Sequence, residues 1–161
     1  MQIGVIGSGD CSPEVGRIAE EVGEGIAGAG AVLVCGGLGG VMEAAARGAK
    51  KAGGYTIGIL PGFSREEANK YIDFSIVTGL SLARNVLVVR SSDALIAVEG
   101  RFGTLSEIAI ALQSGVPVVG IGTWELKKRG KKIEEIKRAQ TSEEAVRKAV
   151  EAARERVRNG R

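Results

Sequence analysis

Short, nearly continuous apolar segments recur along the whole chain. Five of them, four to six residues long, cover residues 3–6, 31–35, 56–60, 94–98 and 116–121. Because they lack polar alternation, these segments are typical of strands buried on both faces, as in a parallel sheet. Less regular apolar runs at 72–77 and 133–139 predict two further strands.

Amphipathic stretches separate these strands. Ser12 followed by Pro13 is typical of a helix start, and Val15, Ile18 and Val22 then recur at spacings of three and four residues. Similar patterns predict helices over 41–51, 81–90, 104–113 and 141–157, the last opened by the capping-box sequence T-S-E-E. The alternation predicts an α/β fold: a doubly wound, mainly parallel sheet with helices on both faces, in one domain spanning residues 1–161.

The amino-acid composition excludes several kinds of catalytic and metal-binding site. The chain contains no histidine, which excludes Ser-His-Asp triads, Cys-His dyads and zinc sites built on imidazole. Its two cysteines, Cys11 and Cys35, are too few for a disulfide framework or a metal cluster, so we predict no metal site. No segment approaches the ~18 apolar residues of a membrane span, and no basic segment followed by an apolar one opens the chain. We therefore expect a cytoplasmic protein with no membrane contact.

The net charge of +3 is unevenly distributed along the chain. Residues 1–121 carry 9 Lys and Arg against 12 Asp and Glu, whereas residues 122–161 carry 13 against 7. The first part is the main ligand-binding body in this interpretation, and the second is a basic C-terminal strand and helix extension. Because no aromatic side chain interrupts the basic run at 127–132, we interpret it as a solvated loop and do not expect nucleic-acid binding.

Glycine-rich segments follow the predicted strands. They read G-S-G at 7–9, G-G-L-G-G at 36–40 and G-R-F-G-T at 100–104. In a parallel sheet all strand C-termini share one edge, and glycine loops that open onto helices expose N–H groups suited to phosphate. The alternative is that these glycines only turn the chain tightly. The candidate ligand-binding residues are Gly7, Ser8, Gly9, Gly36, Gly37, Gly39, Gly40, Met42, Gly100, Arg101, Gly103 and Thr104.

Several of these segments together resemble a known family. The matching sequences are G-G-L-G-G-V-M at 36–42, Arg84-Asn85, Asp93-Ala94 and G-x-x-G-T-L-x-E at 100–107. They resemble the LONELY GUY, or lysine decarboxylase-like, SLOG superfamily, and look closest to its short molybdenum-cofactor-carrier-like branch. Glu99 and Arg101 depart from the family motif P-G-G-x-G-T-x-x-E, which has proline and glycine at these positions. The resemblance implies a Rossmann-like fold and a homodimer or higher homo-oligomer.

The resemblance also implies roles for individual residues. Gly103 and Thr104 would hold phosphate, Arg84 would position the substrate, and Glu107 would balance the charge developing on a ribosyl cation or orient water. From the residues alone, T-x-x-E at 104–107 also fits a capping box, and Arg84 also fits an ordinary surface ion pair. Arg101 either contacts ligand phosphates, points into solvent, or pairs with Glu99 and contributes little.

Other polar side chains near the strand ends have simpler interpretations. Asp10 and Ser12 fit the role of helix caps. Cys11 and Cys35 either face the site or are small buried thiols.

Two functions of different class would use this edge of the sheet. The first is a carrier or binding protein that holds a phosphorylated small molecule, a nucleotide or a pterin-type ligand such as molybdopterin, without turnover. The second is a phosphoribohydrolase that cleaves the N-glycosidic bond of a nucleoside 5'-monophosphate. Neither requires a resident cofactor. The dinucleotide fingerprint and the P-loop are both absent from the sequence, which argues against NAD and P-loop chemistry.

Overall fold

The computed structural model describes residues 1–160 and contains one seven-stranded sheet and a small hairpin. In chain order the strands are β1 Gln2–Gly7, β2 Val32–Cys35, β3 Thr56–Leu60, β4 Phe74–Val77, β5 Ala94–Val98, β6 Val118–Ile121, β7 Lys127–Lys128, β8 Lys131–Lys132 and β9 Ile136–Arg138. The helices are α1 Pro13–Gly28, α2 Val41–Lys51, α3 Asn85–Arg90, α4 Phe102–Gln113 and α5 Ser142–Arg158.

The sheet is parallel throughout and doubly wound, as the sequence predicted. Its strand order is β4-β3-β2-β1-β5-β6-β9. From β1 the chain builds outward to β4, and it then returns to the other side of β1 to add β5, β6 and β9. The direction of winding therefore reverses between β1 and β5, and a crevice opens at the C-terminal ends of these two strands.

Helices cover both faces of the sheet because strand side chains alternate between two apolar layers. Ile3 and Val5 of β1 pack in the layer that contains α1, α2 and α5, whereas Ile6 packs with α3 and α4. The same alternation runs through β5, whose five residues are all buried. The core is aliphatic, in agreement with the low aromatic content of the chain.

Several boundaries differ from those predicted. The segment at 81–90 is not one helix: a 3-10 turn over Ser81–Arg84 precedes α3. Helix α4 begins two residues earlier than predicted, at Phe102, and the strand expected at 133–139 is shorter. The basic run at 127–132 is an exposed two-stranded hairpin, because Arg129 and Gly130 both adopt positive φ, as two-residue turns between strands require.

The C-terminal quarter is part of the central structure and not an appendage. Strand β9 pairs with β6, and α5 packs against α1 and the sheet through Ala145, Ala149 and Ala153. The start of α5 resembles the predicted capping box. Thr141 Oγ1 accepts a hydrogen bond from the Glu144 backbone N–H, and the Glu144 carboxylate accepts one from the Gln140 backbone N–H. Within residues 1–160 no helix is both long enough and apolar enough to cross a membrane.

The close contact between α1 and α2 generates a test of the packing. A Cβ added at Gly23 would lie 1.9 Å from the Ala45 carbonyl oxygen, and one at Gly48 would lie 1.9 Å from that of Glu20. We predict that Gly23→Ala and Gly48→Ala each lower the free energy of unfolding by about 2–3 kcal/mol in urea denaturation. Gly28→Ala is the matched control, since nothing lies within 4 Å of the added Cβ, and it should be neutral or mildly stabilising. Equal effects at the three positions would contradict this account of the packing.

Candidate functional site

A cavity of about 260 Å³ lies at the C-terminal ends of β1 and β5, at the reversal point of the sheet. The loops after β1 and β2, the 3-10 turn before α3 and the first turn of α4 surround it. The structure brings most of the predicted site residues together in its wall: Gly7, Ser8, Gly9, Gly36, Met42, Arg84, Arg101, Gly103, Thr104 and Glu107. The cavity is therefore the place where the candidate ligand-binding and catalytic residues meet.

The four other candidate glycines, Gly37, Gly39, Gly40 and Gly100, lie outside this lining. Gly40 and Gly100 have positive φ, and an added Cβ would lie 2.4 Å from the Ser8 carbonyl oxygen and from Thr104 Oγ1, respectively. These two positions therefore require glycine to bring the loops together. Direct ligand contact by the four glycines stays a prediction.

Arg84 and Glu107 form a buried ion pair in the cavity wall. Arg84 Nη1 lies 3.7 Å from Glu107 Oε1 and donates a hydrogen bond of 2.7 Å to Asn85 Oδ1. The two residues are only 8% and 6% exposed, so Arg84 is not part of a surface ion pair. A Cβ at Gly36 would lie 2.4 Å from Arg84 Nη2, so the absence of a side chain at this position admits the guanidinium.

Burial dominates the electrostatics of this pair. It raises the pKa of Glu107 to about 7, although the nearby Arg84 favours the charged carboxylate. Burial likewise lowers the pKa of Arg84. Glu107 therefore exchanges its proton near neutral pH, the range in which a carboxyl group can act as a general acid or base.

Glu107 is not part of a capping box. Helix α4 begins at Phe102, so Thr104 is its third residue, and the backbone N–H of Leu105 already donates to the Arg101 carbonyl. The capping interpretation is wrong because the helix starts two residues before the position that it requires. Glu107 consequently projects from the second turn of α4, where its side chain reaches the cavity.

Two buried polar atoms of the cavity residues have no hydrogen-bond partner within the described part of the chain. They are Thr104 Oγ1 and Arg84 Nε, and Thr104 is only 2% exposed. Buried hydroxyl and guanidinium groups are almost always hydrogen-bonded, so two exceptions in one cavity call for a partner outside the protein. Both groups are donors, which favours an anionic or oxygen-rich ligand.

The first turn of α4 adds further donors beside these atoms. The backbone N–H groups of Phe102, Gly103 and Thr104 have no acceptor within the helix, and the helix dipole places partial positive charge there. Arg101, the residue before the helix, also lines the cavity, and none of the ion pairs within residues 1–160 joins it to Glu99. This end of the cavity is suited to an anion such as phosphate.

Some lining residues were missed or misassigned in the sequence. Ser12 caps α1, as expected, but Asp10 lines the cavity and does not cap a helix. Leu38, Leu82 and Asn85 also line it; Leu38 and Asn85 belong to the motifs that carry the family resemblance, but none of the three was predicted as a site residue. Leu38 follows two glycines and Leu82 lies in a 3-10 turn, and neither position has a pattern that identifies a leucine as a cavity residue.

Neither cysteine lies in the cavity lining. Cys35 is fully buried, and burial raises the pKa of its thiol to about 11. Cys11 lies in a separate surface groove between the starts of α1 and α2. The interpretation of Cys35 as a small buried thiol is therefore confirmed by its position.

Together these features define a Rossmann-like α/β protein with a cavity at the point where the winding of its sheet reverses. The sequence pattern of the SLOG cluster4 family matches residues 1–153, and the chain belongs to that family. This agrees with the resemblance inferred from the glycine motifs.

Individual proteins extend the comparison. An uncharacterized protein of Archaeoglobus fulgidus is 55% identical over 121 residues, covering 75% of this chain and 80% of that protein. A cytokinin riboside 5'-monophosphate phosphoribohydrolase of Mycobacterium tuberculosis is 38% identical over 121 residues, covering 69% of this chain and 64% of the enzyme.

Solved structures of two molybdenum cofactor proteins share the fold. The molybdenum cofactor binding protein of Rippkaea orientalis superimposes with a TM-score of 0.83 at 36% identity, covering 93% of this chain and 95% of its own. The molybdenum cofactor carrier protein of Chlamydomonas reinhardtii superimposes with a TM-score of 0.81 at 36% identity, covering 94% of this chain and 97% of its own.

The raised pKa of Glu107 generates a prediction about stability and pH. A carboxyl group with a higher pKa in the folded state destabilises the fold as pH rises from its unfolded value to about 7. We predict that the wild-type free energy of unfolding, relative to Glu107→Gln, falls by about 3 kcal/mol between pH 4.5 and pH 8. Urea denaturation at four pH values measures the difference. A difference that is flat or that rises with pH would show that the ion pair with Arg84 outweighs burial.

Proposed function

We propose that this protein binds a phosphorylated small molecule, a nucleotide or a molybdopterin-type ligand, in the cavity between β1 and β5 and holds it without turnover. The observation that carries the proposal is the presence of two buried, unpartnered donors, Thr104 Oγ1 and Arg84 Nε, in residues of one cavity wall. The similar proteins of Rippkaea and Chlamydomonas, which are described as binding or carrying the molybdenum cofactor, support the same class of function.

In this proposal the first turn of α4 holds the phosphate. The N–H groups of Gly103 and Thr104 and the hydroxyl of Thr104 donate to its oxygens, while Arg84 and Arg101 supply positive charge from two sides. Gly7, Ser8 and Gly9 add a part of the wall with little side-chain bulk, so a ligand can approach the backbone closely.

A molybdopterin-type ligand fits this donor set through its phosphate. Apart from the Glu107 carboxyl group, the cavity residues at the start of α4 and Arg84 offer N–H, hydroxyl and guanidinium donors, as a phosphate monoester requires. The proposal therefore assigns the phosphate end of the ligand to α4 and leaves the rest of the ligand to extend from the cavity. In this role the protein binds and carries the ligand and does not use it as a cofactor.

A second candidate function, N-glycosidic hydrolysis of a nucleoside 5'-monophosphate, rests on Glu107. This buried carboxyl group lies in the same cavity, and its pKa of about 7 allows it to balance a ribosyl cation or orient a water molecule. The similarity to the Mycobacterium phosphoribohydrolase supports this candidate. Incubation with AMP separates the two functions, since only hydrolysis releases free adenine and ribose 5-phosphate.

Thr104 provides the first test of the binding proposal. Thr104→Val keeps the shape of the side chain but removes the unpartnered hydroxyl, so it should weaken AMP binding about tenfold in calorimetric titration. Because a buried donor without a partner is removed, the ligand-free protein should also gain about 1 kcal/mol in stability.

The matched control for Thr104→Val is Thr78→Val. The Thr78 hydroxyl already donates to the Leu60 carbonyl at 2.7 Å and lies outside the cavity lining. This variant should lose stability and keep its AMP affinity. If Thr104→Val instead kept full affinity, the assignment of the phosphate to α4 would be wrong.

Arg101 provides a test of ligand charge. A guanidinium beside the α4 N-terminus favours di- and triphosphates over monophosphates, since it offers paired donors to the additional oxygens. We predict that Arg101→Gly, which restores the family motif, weakens ADP and ATP binding by about 1.5–3 kcal/mol and affects AMP less. Calorimetric titrations at two salt concentrations measure this. Equal affinities across the series in both proteins would mean that Arg101 does not contact the ligand.

A further inference from the structure

Two aromatic side chains lie together beside the cavity, outside its lining. The ring centroids of Phe102 and Trp124 are 5.7 Å apart, with an interplanar angle of 35°, and Phe102 is 78% exposed. Trp124 Nε1 donates to the carbonyl oxygen of Arg101 at 3.3 Å, while Arg101 itself lines the cavity. The Phe102–Trp124 pair is therefore continuous with the cavity wall at the first turn of α4.

Trp124 is held in place by the surrounding loops. Arg138 of β9 donates to the backbone carbonyls of Thr123, at 3.0 Å, and of Trp124. The Thr123 hydroxyl in turn donates to the Glu99 carbonyl, which links the loop after β6 to the loop after β5. Together with the indole hydrogen bond to Arg101, these contacts hold Trp124 in place before any ligand arrives, so little conformational entropy would be lost when its ring makes a contact.

The size of the cavity determines what must lie outside it. Sites that enclose a small molecule commonly measure about 300–1,000 Å³, whereas this one measures about 260 Å³. A nucleotide with its phosphate at Thr104 would therefore extend beyond the cavity. Phe102, which immediately precedes the cavity residues Gly103 and Thr104, provides an apolar surface that such an extension could cover.

We propose that the Phe102–Trp124 pair stacks the flat heteroaromatic ring of the ligand, a purine or a pterin, while the phosphate is held by α4 and Arg84. This inference rests on the proposed phosphate site and adds a second contact to it. Stacking on aromatic side chains tolerates different rings because every such ring offers a π-face. The pair would thus select for phosphate esters that carry a heteroaromatic group over those that carry only a sugar.

Trp124 allows a direct test because it is the only tryptophan in the chain. The full-length protein is titrated with AMP and with ribose 5-phosphate, followed by calorimetry and by tryptophan emission, with free adenine measured at the end. AMP should change the emission and bind at least about tenfold more tightly than ribose 5-phosphate, which should leave the emission unchanged. Phe102→Ala should weaken AMP binding about tenfold and leave ribose 5-phosphate binding unaltered.

The matched control is Phe74→Ala. Phe74 is 56% exposed and also pairs with a second aromatic ring, that of Tyr55, at 6.3 Å and 42°. Phe74 lies at the N-terminal end of β4, the outermost strand of the sheet, whereas the cavity lies at the C-terminal ends of the central strands β1 and β5. Phe74→Ala should alter neither titration.

The outcomes separate this inference from the proposed function. Equal affinity for AMP and ribose 5-phosphate, unchanged emission, or full AMP affinity in Phe102→Ala would overturn the stacking role and leave the phosphate site standing. Loss of self-association in Phe102→Ala with unchanged AMP binding would assign the pair to an interface between copies of the chain, which also overturns the proposal. If neither compound bound, the proposed phosphate site would fail and the stacking role with it.

Discussion

The site depends on the buried contact between Arg84 and Glu107. Removing two charges from water costs several kcal/mol per ion unless they are well paired and their remaining hydrogen-bonding groups are satisfied. Here the charged atoms are 3.7 Å apart, Asn85 accepts one guanidinium hydrogen bond, and Arg84 Nε has no partner within residues 1–160. The protein alone satisfies this pair only in part, and an anion in the cavity would supply the missing interactions.

Close contacts around this ion pair require glycine at two backbone positions. The Arg84 guanidinium needs the space that the missing Gly36 side chain leaves, and the loops after β1 and β2 approach each other only because Gly40 lacks a Cβ. The reversal of winding at β1 then brings these loops to the start of α4. An anion bound there would lie near Glu107 and would further disfavour its charged form. Ligand charge, Glu107 protonation and Arg84 position are therefore linked through one cavity.

Much of this architecture is readable from the sequence, and the reasons for the exceptions are physical. The continuous apolar strands and the glycines after them predict the parallel sheet and the edge at which the site forms. The start of α4 at Phe102 is not readable in this way, because Arg101 and Phe102 carry no capping side chain that marks it. Arg84 is buried through contacts with Gly36 and Glu107, which are distant from it in the sequence. The local sequence around Arg84 therefore cannot distinguish a buried ion pair from a surface one. Trp124 acquires a role only once the loop after β6 lies beside α4.

The central claim, that the first turn of α4 and Arg84 hold a phosphate group, is tested most directly by a crystal structure of the protein with bound AMP. The account predicts the phosphate within hydrogen-bonding distance of Thr104 Oγ1 and the N–H groups of Gly103 and Thr104, with the Arg84 guanidinium beside it. A phosphate bound instead at the start of α2 or on the hairpin at 127–132, with Thr104 Oγ1 still without a partner, would contradict it.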